Sequence, residues 1–174
     1  MAHPSKVKGD KAELEAVAFW RATAPDLIVW NAQRMLGAGR AEDIGDLLVL
    51  PDAAVQVKAY KDSGLSAGLY GAAEGARLQQ LRARHPFGVG MVLVPRARAT
   101  QVRWAAACVD WPVELDAPER HTSSLSALAA VKAAGPDARL VTYVDRKGAT
   151  PIRIASMQTW IAAYRQATAE KEQS

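Results

Sequence analysis

At 174 residues the chain is long enough to bury one hydrophobic core without disulfide or metal staples, so one compact unit, with a small appendage at most, is the default expectation. Hydrophobic residues make up 49% and charged residues 23%, which excludes the low-hydrophobicity regime of disordered chains. The net charge is only +4, and the single cysteine, Cys108, excludes an intramolecular disulfide and a cysteine-rich zinc site.

No run approaches the roughly 18 unbroken apolar residues that a membrane helix needs. The opening MAHPSKVKGDKAELE also lacks the apolar centre of a signal peptide. The expectation is a soluble, unexported protein of a reducing cytoplasm.

In chain order, the pattern first predicts a helix over 10–24. Leu14, Val17, Ala18 and Trp20 follow an acidic first turn, and Pro25 stops it. A short β-rich run, 27–30, predicts the first strand, and the glycines of 36–40 predict a loop. Two apolar runs, 44–50 and 54–60, flank Pro51 and Asp52, which is turn chemistry for an antiparallel hairpin. A second helix is predicted over 66–84, with Leu69, Ala73, Ala76, Leu78 and Leu81 near helical spacing and His85-Pro86 at its end. Strands are then predicted over 87–94 and 100–109. An acidic, proline-containing linker over 111–121 precedes a helix at 124–134, a strand at 140–144 and a helix at 156–169. The fold class is therefore α/β: a core over 1–110 and a small C-terminal α/β extension over 111–174 packed on it.

Charge is unevenly distributed. From Arg77 to Arg103 there is no acidic residue, while Arg77, Arg82, Arg84, Arg96, Arg98 and Arg103 are all cationic. A polyanion such as DNA would account for this block through counterion release; a solvated arginine face is the alternative. Arg34 and Arg40, just before the hairpin, are candidate phosphate clamps. The DNA-binding candidates are thus Arg34, Arg40, Arg77, Arg84, Arg96 and Arg98.

Four residues carry the candidate chemistry: Glu13, Asp46, Gln56 and Lys58. Gln56 and Lys58 are two apart on a strand and must project from one face. A three-residue hairpin loop, pairing Leu50 with Ala54 and Asp46 with Lys58, brings Asp46 to the same face; a two-residue loop turns it away. The Asp46 carboxylate, the Gln56 amide oxygen and the Val57 carbonyl are hard oxygen donors suited to magnesium, for which manganese could substitute. Lys58 beside such a site could orient the attacking water and offset developing charge on phosphate. Glu13 could hold a metal-bound water or a second ion, or could simply be an acid favoured by a helix dipole.

The other candidates are weaker. The three histidines are too scattered for a metal cluster, Cys108 lies in an apolar strand, and Gly37-Ala38-Gly39 lacks any nucleotide-binding signature. Trp104, Trp111 and Trp160 are expected in the core or in a dimer interface.

The opening Lys8-Gly9-Asp10-Lys11-Ala12-Glu13, the Gly45-Asp46 in the first hairpin arm and the Gln56-Val57-Lys58 in the second resemble the PD-(D/E)XK nuclease superfamily, in particular its Holliday-junction resolvase branch. The resemblance covers roughly residues 6–109. It implies an αβββαβ restriction-endonuclease-like core, a mixed sheet flanked by helices, and metal-dependent phosphodiester hydrolysis. It also implies a homodimer that nicks paired strands of a four-way DNA junction, with Glu13, Asp46, Gln56 and Lys58 as active site. Gln56 stands where the family carries its second acid, and a neutral ligand holds a cation less strongly. Another nuclease substrate, or a DNA-binding module with weakened chemistry, remains open on the sequence.

Overall fold

The computed structural model describes the backbone of residues 4–8 and all atoms of residues 9–35, 45–95 and 101–173. Arg40, Arg96, Arg98 and the glycine loop at 37–39 lie outside the described residues.

Helix α1 runs Pro4–Thr23, beginning well ahead of the expected start. Proline suits a first helical position, where its missing N–H has no intrahelical partner to lose. Glu13 therefore lies in the third turn, where the helix dipole gives no reason for an acid. Ala12, Ala16, Val17 and Trp20 face the core, whereas Leu14, expected there, is 58% exposed.

Residues 27–30 do not form the expected strand. Val29 donates its N–H to the Val49 carbonyl at 2.9 Å, but turns bracket it and Trp30 is 97% exposed. The strand is β1, Gln33–Arg34, which pairs antiparallel with β2, Leu47–Leu48. The hairpin around Pro51 is present: β2 pairs antiparallel with β3, Ala53–Ala59, with Leu47 opposite Val55. This register is shifted by two residues from the expected one. A shift of two keeps every side chain on its face, where a shift of one would invert them all.

A 3₁₀ turn at Asp62–Gly64 leads into α2, Leu65–Ala83, which crosses over to β4, Phe87–Leu93, parallel to β3 from Ala53↔Phe87 to Ala59↔Leu93. Leu69, Ala73 and Ala76 of α2 are buried, but Leu78 and Leu81 are 55% and 61% exposed. Strand β5, Trp104–Cys108, returns antiparallel to β4.

Beyond residue 110 the same sheet continues. Strand β6, Glu119–His121, lies in what the sequence reads as linker; α3, Ser124–Ala134, follows, then β7, Thr142–Val144. Strand β8, Ile152–Ser156, and helix α4, Met157–Glu172, complete the chain. The order β1-β2-β3-β4-β5-β8-β7-β6 makes one eight-stranded mixed sheet, with β8 hydrogen-bonded directly to β5.

Two cores sandwich the sheet. On one face α1 and α4 bury Trp20, Trp104 and Trp160 against Val55, Val57 and Met91; the Trp20 indole N–H donates to Met91 Sδ at 3.0 Å. On the other, α2 and α3 pack Leu69, Ala72 and Val131 against Val92, Ala105 and Ile154. The Tyr164 hydroxyl donates to Asp52 Oδ1 at 2.5 Å, tying α4 to the hairpin turn. Burial and this bond together push the phenol well above its ordinary pKa. Among the described residues no helix is long and apolar enough to cross a membrane.

Candidate active site

The site lies where β2 gives out along the edge of β3. Gly45 adopts φ +138, a backbone conformation L side chains rarely take, and a Cβ there would come within 3.4 Å of the Val55 backbone. The bend lets Asp46 turn inward. Its backbone N–H donates to the Val55 carbonyl at 2.9 Å, and its carbonyl accepts from the Met35 N–H at 2.8 Å. Its Oδ2 accepts from the Val57 N–H at 2.8 Å and from the Gln56 side-chain amide. The predicted Asp46–Gln56 meeting therefore holds, through a register of Asp46 beside Gln56 and not opposite Lys58.

Gln56 is 6% exposed and lies against α2. A Cβ at Gly75 would come within 2.8 Å of Gln56 Oε1, so glycine at that turn makes the room for the amide. With its NH₂ given to Asp46, the amide oxygen faces α2. In an extended strand the N–H and C=O of one residue point the same way. The Val57 carbonyl is thus directed, like its N–H, toward Asp46.

Glu13 approaches from the other face of β3, on α1. Its pKa is raised, first by burial and next by the Asp46 charge, with Asp10 adding to the rise; Arg34 and, more weakly, Lys58 pull it down. Lys58 is partly buried and close enough to be felt by Glu13. Among the described residues no strand covers the β2 side of β3 beyond Val55, and side chains from both sheet faces come together around Asp46.

Arg34, expected from the sequence as a phosphate clamp, lies against two acids of α1, a placement the sequence does not reveal. Its Nη2 donates to Asp10 Oδ1 at 2.9 Å, and its Nε lies 3.4 Å from Glu13 Oε2. That second contact is an ion pair without hydrogen-bond alignment, since Nε is buried without a hydrogen-bond partner. Nothing in the chain pattern couples position 34 to 13; the packing of β1 against α1 brings them together.

The arginine block is less one-signed in space than in sequence. Arg103 makes a two-pronged bond to Glu15 at 2.7 and 3.0 Å, and Arg77 lies 3.6 Å from Asp110. Arg84 is the left-handed residue that ends α2, at φ 54. Cys108 is buried, which drives its thiol pKa far up and makes it a small hydrophobe.

Among the described residues no three histidine, cysteine or acidic side chains gather tightly enough to hold a metal by themselves. Glu13 is nevertheless made harder to ionise by the Asp46 charge, and the two acids lie near a backbone carbonyl. That donor set fits a hard divalent cation. Gln56 would join it by turning its amide over. The fold defines an α/β protein with a mixed open sheet. No protein family, curated protein or solved structure matches the chain.

Proposed function

We propose that the chain is a magnesium-dependent endodeoxyribonuclease of the PD-(D/E)XK type that acts on branched DNA, four-way junctions above all, as a homodimer. The observation that carries this reading is the Gln56 amide on the Asp46 carboxylate, with Glu13 of α1 within electrostatic reach of both Asp46 and Lys58. The order α1-β1-β2-β3-α2-β4, with β1, β2 and β3 antiparallel and β4 parallel to β3, supports an αβββαβ restriction-endonuclease-like core.

In this reading Glu13, Asp46 and the Val57 carbonyl would hold the ion. Bound magnesium would supply Lewis acidity toward a phosphate oxygen and lower the pKa of a coordinated water. Lys58 orients the water and offsets negative charge growing on the phosphoryl group. Asp46 is fixed for this task by the Val57 N–H and the Gln56 amide. Arg34 balances the charge of Glu13. Two symmetric nicks call for two sites related by a twofold axis, hence a homodimer.

The deciding experiment incubates the protein with four-way junctions, linear duplex and single strands, in magnesium or manganese and in chelator. Metal-dependent nicking of junctions, lost in Asp46→Asn, supports the proposal. Absence of metal-dependent cleavage of any DNA sinks it.

A second reading is favoured by the Gln56 amide donating to Asp46 and by Arg34 already neutralising Glu13: a DNA-binding module on a nuclease fold with its chemistry weakened. Its signature is junction binding without cleavage in either metal.

A further inference from the structure

Across the sheet from Asp46, toward the β6 edge, a cavity of about 430 Å³ opens beneath the segment after β5. Its floor is a rank of side chains across three neighbouring strands: Arg120 of β6, Tyr143 of β7 and Arg153 of β8, paired in register as Arg120↔Tyr143 and Tyr143↔Arg153. Directly paired residues share a sheet face. Arg153 pairs also with Cys108, which belongs to the core under α1 and α4, so the rank lies on the face opposite α3. None of the cavity's lining residues comes from a helix; the roof is the chain from Asp110 to Pro118, including Trp111.

The chemistry of this floor is specific. The guanidinium carbons of Arg120 and Arg153 lie 5.0 and 5.5 Å from the Tyr143 ring centre, within the range of cation–π attraction. Arg153 also donates to the Val109 carbonyl, which anchors it. Among the described residues neither arginine has a carboxylate within ion-pair distance. Of the two acids lining the cavity, Asp110 is engaged with Arg77 at 3.6 Å, and Glu114 is exposed at the rim. Two cations held by an aromatic ring and not by acids are prepared for an external anion. The half-buried Trp111 beside them packs in part against the core under α1 and α4 and lines the cavity with the rest of its indole, an aromatic surface of the kind on which a planar ring stacks. The volume lies within the range of small-molecule sites.

We infer that this cavity is a nucleotide-binding site: the Arg120–Tyr143–Arg153 rank takes the phosphate, and Trp111 stacks on the base. Glu114 at the rim is an acceptor for an exocyclic amino group of the base. The same chemistry is offered by a free mononucleotide and by one unit of a single strand. The inference does not depend on the nuclease reading, since none of the residues at Asp46 takes part.

Calorimetric titration of the full chain tests it, using deoxyadenosine monophosphate, deoxyadenosine, inorganic phosphate and a short oligodeoxyadenylate. The monophosphate should bind at least about tenfold more tightly than either the nucleoside or phosphate, because ring and charge are both recognised. Arg120→Ala should weaken it about tenfold or more with an unchanged melting temperature, and Trp111→Leu about tenfold or more with a cooperative melting transition retained, while Asp46→Asn leaves it intact. An oligonucleotide that binds much more tightly than the monophosphate identifies a strand as the occupant; equal affinity identifies the free nucleotide. Phosphate binding as tightly as the nucleotide, variants binding like the parent, or no binding of any nucleotide at millimolar concentration would each overturn the inference.

Discussion

At the residue scale, the site is defined by one carboxylate receiving two donors. Asp46→Asn keeps an oxygen to accept from the Val57 N–H, so the fold should survive while metal-dependent cleavage is lost and junction binding is largely kept; a variant that cleaves normally removes Asp46 from the mechanism. Lys58→Ala should slow cleavage on the order of a hundredfold, the scale of one preorganised electrostatic group. Gln56→Glu sets a second carboxylate against Asp46 in a buried position. It should lower the melting temperature without metal and recover it with magnesium, by mass action on the native state.

Glu13 gives a pH signature. Its pKa is raised from an ordinary value of 4.5, so between that value and the raised one the native state binds more protons than the unfolded state. Stability then falls as pH rises through this window and stays flat above it. Glu13→Gln removes the penalty. The variant should melt higher than the parent at pH 7, with the gain vanishing below about pH 4. Magnesium should narrow the gap, since it stabilises the parent more. A difference independent of pH between 4 and 7 would show that the crowding of Glu13 by burial and Asp46 is not felt.

At the element scale, α2 and β4 approach closely enough that two glycines have opposite duties. A Cβ on Gly90 would lie 2.6 Å from the Ala72 carbonyl carbon, backbone that cannot step aside. Gly71 has nothing within 4 Å and is exposed in the helix interior. Gly90→Ala should cost about 1–3 kcal/mol or more from overpacking, and Gly71→Ala should add up to about 1 kcal/mol from helix propensity. Denaturant midpoints for the pair check both signs. If Gly90→Ala costs nothing, the helix does not sit that close to the strand.

The same elements show what the sequence can and cannot disclose. The long helices and β3, β4 and β5 are legible because apolar spacing and the flanking prolines and glycines agree. The 27–30 run misleads because β propensity in a short apolar stretch does not guarantee a partner: Val29 finds one carbonyl and Trp30 faces solvent. Strand β6 hides in an acidic, proline-containing segment, since an edge strand with an exposed Glu119 and Arg120 has no apolar alternation to read. At the site, the face of Asp46 was readable from the parity of the hairpin loop. Its exact register was not, because the bend at Gly45 is a backbone event. The Arg34–Glu13 contact is tertiary and leaves no local signal.

At the scale of the whole molecule, the place of β8 sets the cooperativity of the chain. Strand β5 is buried along its whole length, hydrogen-bonded to β4 on one edge and to β8 on the other. Ending the chain at residue 110 would turn that buried strand into an open apolar edge, the arrangement that invites edge-to-edge association. It would also remove α4, which supplies Met157, Trp160, Ile161 and Tyr164 to the core shared with Trp20. Burying each such side chain contributes about 1.5–3 kcal/mol, and together they rival the whole stability of a domain, about 5–15 kcal/mol. The prediction is that 1–110 aggregates or shows no cooperative melting, although it holds Glu13, Asp46, Gln56 and Lys58. A soluble 1–110 fragment with a sharp thermal transition would mean instead that residues 111–174 are an accessory to an independently folding core.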